Sequence, residues 1–184
     1  MKILRRTVFG NPILRSQAKH LEINEILSAS IEELIANMFH TLIKRQYGVG
    51  LAAPQVGRDA ALSVIGIKPT PARPNSRTIK MVIINPQIIK TYGKLVPKWE
   101  GCISLGSGAD LPYAQAMRFE KIRLRYQDGA AKIHEADFDG LLAHVMQHEV
   151  DHLAGILFVD RVIDSKTFVS VSEYKKRYLK KPEN

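Results

Sequence analysis

The stretch Gln147–Gly155, QHEVDHLAG, decides how the rest of the chain is read. It places His148 and His152 four residues apart, with Glu149 directly after the first histidine. On an α-helix, residues at i and i+4 share a face. Leu141, Val145, His148 and His152 follow at spacings of 4, 3 and 4 and line one stripe, with Leu142, Val145 and Glu149 beside it. The spacing predicts a helix that starts near Asp139, a good N-cap residue, and ends near Gly155, a good C-terminal stop. Both imidazoles then point where the apolar residues point, towards the core, with Glu149 on the flank.

Burying two imidazoles and a carboxylate is costly unless each finds a partner. A divalent metal satisfies both histidines at once. His-Glu-x-x-His, with the glutamate as general base, is the hydrolytic form of that arrangement. A catalytic centre of this kind takes about three protein ligands and keeps one position open. The residues considered for the third ligand are Cys102, His134, His144, Asp139 and Asp151. His144 lies roughly 12 Å along the helix axis from His152, too far for one ion. Asp151 points about 100° away from His152. His134, on a hairpin strand, stays open. Cys102 is favoured, because a thiolate binds borderline-soft metals well and Gly101 gives the backbone freedom to bring it to a helix.

Working outward, Ile31, Leu34, Ile35, Met38, Phe39, Leu42 and Ile43 form the buried stripe of a second helix, with His40 off the stripe and solvated. Ser30 is its expected N-cap, and Glu33 completes a capping box. GVGLAAPQVG (48–57) has too many glycines for a long regular element. Strands are expected at 60–67, 78–86 and 87–92, with a Pro-rich exposed loop, KPTPARPNSR, between the first two. EKIRLRYQDGAAKIHEA alternates around Asp128-Gly129, a hairpin signal. The chain therefore reads as α+β: antiparallel sheets around a central helix that carries the histidines. Residues 1–165 are expected to form the catalytic domain, and 166–184 a basic helix or tail.

The 184 residues suit one domain with one substantial core. A lone cysteine excludes an internal disulfide and suits a reducing compartment. MKILRRTVFGNPIL holds no apolar run of signal-peptide length, and no window reaches the roughly 18 apolar residues of a membrane span. A cytoplasmic protein without membrane contact is expected. The formal charge of +9 favours polyanionic surroundings such as RNA or a ribosome, and fits a solvated basic surface equally well.

Three segments in order, GVGLAAPQ (48–55), EGCIS (100–104) and QHEVDHLAG (147–155), resemble the three motifs of peptide deformylases. The resemblance runs from about Lys2 to Val162. It implies a mixed α+β fold and removal of the N-terminal formyl group from nascent polypeptides, usually ahead of methionine. It implies one divalent metal, usually Fe(II), with Zn(II), Ni(II) or Co(II) also able to occupy the site. The family's ligands map onto Cys102, His148 and His152. Glu149 becomes the base that takes a proton from water and passes it to the leaving amine. Gln55 and the backbone N–H of Ile103 become the oxyanion donors, and Gly50 lies against the substrate backbone. The family usually places an apolar residue and a proline after the cysteine motif, then a loop arginine that in some members holds the downstream end of the substrate. Here LGSGADLPYAQAM follows, Gly106 stands where the proline would be, and no arginine occurs before Arg118. Normal metal chemistry with altered recognition beyond methionine is expected. The basic tail, with Lys175 to Lys181 and two tyrosines, is a candidate for ribosome contact or for packing on the domain.

Three other readings fare worse. A metalloprotease needs another ligand downstream, and no histidine follows His152. A deformylase-like binding module would have no use for the intact Gln55, Cys102, His148, Glu149 and His152. A nucleic-acid-binding protein would explain the charge but not the buried motif.

Overall fold

The computed structural model describes residues 1–45, 48–70 and 76–179. The Pro-rich loop expected at 68–77 lies partly, and the end of the basic tail wholly, outside the described residues. A short helix α1 (Ile23–Ile26) leads into α2 (Ala29–Arg45). Strands β1 (Gly50–Ala52), β2 (Leu62–Ile67), β3 (Ile79–Gly101), β4 (Pro112–Gln127) and β5 (Ile133–Asp139) follow, then helix α3 (Gly140–Leu153). Strand β6 (Val169–Ser170) and helix α4 (Val171–Tyr178) come last.

Strands β1 to β5 pair antiparallel in sequence order, and β6 pairs with β4. The antiparallel strands expected around the central helix thus run as one continuous sheet. Helix α3 touches each of β1 to β5.

Two apolar layers meet at β2, which explains why its sequence is a nearly unbroken apolar run rather than an alternation. Leu62 and Val64 pack with Met38, Leu42 and Leu51 on the α2 side. Ile65 and Ile67 pack with Ile122, Leu124, Ala143 and Met146 on the α3 side. Each such fully buried side chain stabilises the fold by about 1.5–3 kcal/mol.

The α2 stripe is buried as read at Leu34, Met38, Phe39 and Leu42, but Ile43 is exposed and His40 is half-buried rather than solvated. Asn37 and Thr41 share the buried face. They are there to hold the N-terminal segment: Lys2 N–H donates to Asn37 Oδ1 (2.6 Å) and Leu4 N–H to Thr41 Oγ1 (2.9 Å). The helix starts two residues earlier than expected. Ser28, not Ser30, accepts from Ile31 N–H at 3.3 Å, so Glu33 completes no capping box.

The two strands expected at 78–86 and 87–92 are one strand, β3, with the register shifting between Ile84 and Gln87. The irregularity is Asn85-Pro86. Asn85 has φ of 50°, which asparagine tolerates better than most residues, and Pro86 has no N–H for a ladder. The Asn85 side chain ties the bulge down through Leu21 N–H (3.0 Å), Leu21 O (2.8 Å) and Gln127 Oε1 (2.8 Å). The hairpin at Asp128-Gly129 forms, but the left-handed residue is Ala131 (φ 60°) rather than the glycine. Asp128 Oδ1 accepts from Ala130 and Lys132 N–H and shapes that five-residue turn.

Candidate metal centre

Helix α3 follows β5 with no intervening loop, turning at Gly140 (φ 54°). Asp139 occupies the N-cap position, though its side chain makes no capping bond. The helix stops at Gly155, where φ is 72° and a Cβ would lie 2.6 Å from the Arg15 carbonyl oxygen. Ala143 and Met146 form the face sealed against the sheet. The stripe carrying the histidines runs from the cleft into the core, for Val145 packs with Ala143 and Met146 and His152 is buried. Leu141 at its start is 37% exposed, and Leu141, Val145, His148 and Glu149 line a cleft of about 650 Å³. The spacing identified the right shared face. It assigned the whole face to the core, which holds for Val145 and His152, whereas Leu141 and His148 open to a cleft whose wall has the same apolar pattern as a core.

Cys102 lies immediately beyond β3, buried beside Ala114, Ala116 and Phe158. Its Sγ is 3.2 Å from His152 Nε2. One ligand atom from each of Cys102, His148 and His152 lies within 4.8 Å of the others. That separation suits three ligands of a single ion, each held about 2.0–2.3 Å from it. The other third-ligand candidates are engaged elsewhere. His134 binds Asp128 (2.7 Å) and stacks on Tyr126, Asp151 binds Arg118 and Arg161, and Asp139 stands at the N-terminal end of α3, away from His152. Gly101 matters for space rather than freedom: a Cβ there would lie 2.5 Å from the Tyr113 ring.

The electrostatics favour a cation at this point. Burial alone would raise the Cys102 thiol, but His152 and His148 beside it hold it well below its ordinary value. Burial would lower His148, yet Cys102 and Glu100 hold it well above. A thiolate is thus stabilised where a metal would be bound. Glu149 is buried, and its Oε2 finds no partner among the described residues. Burial pushes its carboxyl up to about 7, against the pull of His148 and His152. Such an orphaned buried carboxylate is costly. The chemistry it suits is exchange of a proton with water or substrate near neutral pH.

Gln55 sits in a buried 3-10 turn, Ala53–Val56, directly after β1. Its Oε1 accepts from Ala52 N–H (2.9 Å), which fixes the amide so that Nε2 faces Cys102 Sγ (3.3 Å) and Ser104 Oγ (3.4 Å). Ile103 lines the cleft, and its N–H has no partner among the described residues. Gly50 also lines the cleft, for a reason the sequence did not reveal. A Cβ on it would lie 2.1 Å from Glu149 Oε1, so the glycine makes room for the glutamate.

The residue sequence reasoning missed is Glu100. It is buried and accepts from Arg118 through both oxygens (2.7 and 3.1 Å), from His144, and more loosely from His148 Nδ1 (3.4 Å). A carboxylate on Nδ1 turns Nε2 towards the ligand position. Burial would raise the Glu100 carboxyl, but His144, His148 and Arg118 hold it well below its usual range. Arg118 in turn reaches Asp151, which also accepts from Arg161 (2.7 Å). A signal was present. In β4 the buried positions run Ala114, Ala116, Arg118, and a cation at a core position requires buried carboxylates.

The segment after Cys102 departs from a simple loop. Arg6 Nη1 donates to Gly106 O (2.6 Å), and a 3-10 turn at Gly108–Asp110 leads into β4. Val171 N–H donates to Leu111 O (2.8 Å), which starts α4 against this segment. Tyr174 and Tyr178 stack on Trp99 (centroids 5.3 and 4.6 Å), and Tyr174 stacks on Tyr113 (5.0 Å). The tyrosines of the tail thus pack on the sheet. No helix among the described residues is long and apolar enough to cross a membrane.

The family model for polypeptide deformylase matches residues 3–168. A peptide deformylase of Chlorobaculum tepidum is 40% identical over 87% of this chain and 80% of its own length. Peptide deformylase 2 of a Nostoc species is 33% identical over 93% and 92%. Among solved structures, a class I type b peptide deformylase from Acinetobacter baumannii with Met-Ala-Ser bound superposes with a TM-score of 0.80. It is 32% identical, over 88% of this chain and 99% of that one. The cleft, the buried Cys-His-His cluster and these matches agree: the chain belongs to the peptide deformylase family, metal-dependent hydrolases that take the formyl group from the N-terminus of newly made polypeptides.

Proposed function

We propose that Cys102, His148 and His152 hold one divalent ion, Fe(II) in the cell, and that Glu149 carries protons for formamide hydrolysis. The observation that carries this is the pairing of a three-ligand cluster with an orphaned buried carboxylate on the same cleft wall. A metal bound there would acidify water and polarise the formyl carbonyl; Zn(II), Ni(II) and Co(II) suit the same donors. Glu149 takes one proton from the attacking water and returns it to the amine as the C–N bond breaks, so water and formamide become formate and a free α-amine. Gln55 Nε2 and Ile103 N–H donate to the oxygen that gains charge. Gly50 leaves space for Glu149 and for the substrate backbone.

The test is deformylation of formyl-Met-Ala-Ser by nickel-loaded protein, with Glu149→Ala as control. Activity in the parent and its loss in the variant, with metal still bound, is the expected result. No activity in the metal-loaded parent would refute it.

Residues 1–165 are the catalytic unit in this reading, and 166–184 an appended basic helix. A reducing, cytoplasmic setting suits the lone buried thiolate ligand. Lys176 and Arg177 keep 75% and 66% of their side chains exposed, which supports contact with ribosomal RNA. Charge reversal of both should weaken ribosome pelleting at low salt, and unchanged pelleting would sink that contact.

A further inference from the structure

Helix α4 does more than cover the sheet. Tyr174, Lys175 and Leu179 line the same cleft as Cys102, His148 and Glu149. The helix lies beyond residue 168, where the match to the family model ends. Its seat is fixed at both ends. Val169 and Ser170 pair with Tyr113 and Pro112, the Ser170 hydroxyl accepts from Glu173 N–H (3.3 Å), and the tyrosines stack on Trp99. A helix seated this way presents its side chains in a fixed geometry.

The charges on α4 are not equivalent. Glu173 takes Arg177 (2.7 Å) and, more loosely, Lys176 (3.9 Å). Lys175 has no carboxylate partner among the described residues and lines the cleft. The cleft's own carboxylates, Glu100 and Glu149, line it but are buried. Glu100 is held by Arg118, and Glu149 lies buried against Gly50. The cleft therefore carries a free cation on the α4 wall, next to an aromatic surface.

We propose that α4 is the part of the cleft that reads the peptide downstream of the formylated methionine, with Lys175 selecting a carboxylate there. The inference rests on the deformylase reading of the cleft. The carboxylate is either an acidic side chain in the first residues after methionine or the free C-terminus of a short peptide. Aspartate and glutamate are the forms a long nascent chain can offer.

The experiment compares kcat/KM for formyl-Met-Ala-X peptides with X as Glu, Gln or Lys, each as the C-terminal amide and the free acid. It uses the full chain loaded with nickel. The parent should prefer Glu to Lys by about threefold, the scale of a part-exposed ion pair, and the difference should lie in KM. In Lys175→Glu the preference should invert, and in Lys94→Glu, an equal charge change on an exposed residue outside the cleft, it should stay as in the parent. A preference for the free acid over the amide that is the same for every X, and is lost in Lys175→Glu, assigns Lys175 to the terminal carboxylate. A Glu-over-Lys preference kept in the amides assigns it to the side chain. Glu-to-Lys and acid-to-amide ratios that are both the same in the parent and in Lys175→Glu overturn the proposal while leaving deformylation intact. Absence of deformylation of every peptide would instead overturn the reading of the cleft.

Discussion

Replacing Gly50 by alanine is the smallest change that tests the centre. The added methyl would lie 2.1 Å from Glu149 Oε1 and 2.7 Å from its Cδ, where contacts under 3.0 Å do not occur. The carboxylate must therefore retreat by roughly 1 Å or β1 must shift by as much. β1 is paired to β2 through Gly50, Leu51 and Ala52, and Leu51 and Ala52 are fully buried, so the strand resists. The side chain moves instead, and a proton carrier displaced by 1 Å costs on the order of 100-fold in rate. Stopped-time assays on formyl-Met-Ala-Ser with nickel-loaded protein should show that loss in kcat, with metal content unchanged because no ligand is touched. A Gly50→Ala protein with parental kcat would refute the role given to Glu149, since the base would have moved without consequence.

The other expectations concern charge and redox. Glu149 must be ionised to accept a proton, and burial pushes it up to about 7, so activity should fall as pH drops. A bound cation draws that limb below pH 7, and a profile flat from pH 5 to 8 would contradict the assignment. In metal-free protein the same raised group contributes stability at low pH that is lost as pH rises through about 7; melting temperatures of the parent and of Glu149→Gln should therefore converge in acid and part above neutrality. Arg118→Met leaves Glu100 and Asp151 buried without their shared cation, and should cost about 3–5 kcal/mol in denaturant unfolding. A loss under about 1 kcal/mol would show that Arg161 and His144 suffice as partners. Iron-loaded protein held in air should lose activity as Cys102 gains oxygen, seen by peptide mass, while nickel-loaded protein keeps both. Activity lost with Cys102 unmodified would point elsewhere.

Much of the centre could be read from the sequence because its chemistry is local. His148, Glu149 and His152 fall within one and a half turns of helix, and four residues of spacing fix which face they share. Cys102 needed the tertiary fold, or the resemblance, to be chosen over His134. Gly50 and Glu100 were out of reach in a different way. Their roles towards the centre exist only where distant chain segments are brought together, 48 residues apart for Glu100 and His148. The β3 bulge was missed because Asn85-Pro86 reads as a chain break, and only the Leu21 and Gln127 partners show that it is held within a strand. The cleft end of the histidine stripe was read as core because burial and cleft-lining share one apolar periodicity.

The 50-residue interval between Cys102 and His152 has a consequence for how the protein comes to hold its ion. The thiolate and the histidines meet only once β3, β4 and β5 have paired and α3 has docked, contacts of long sequence range that form late. A half-made chain offers an isolated thiol and no chelate. Loading must therefore wait until residue 152 has left the ribosome and the sheet has closed, so an enzyme that acts on nascent chains is itself inert while most of its own chain is being made.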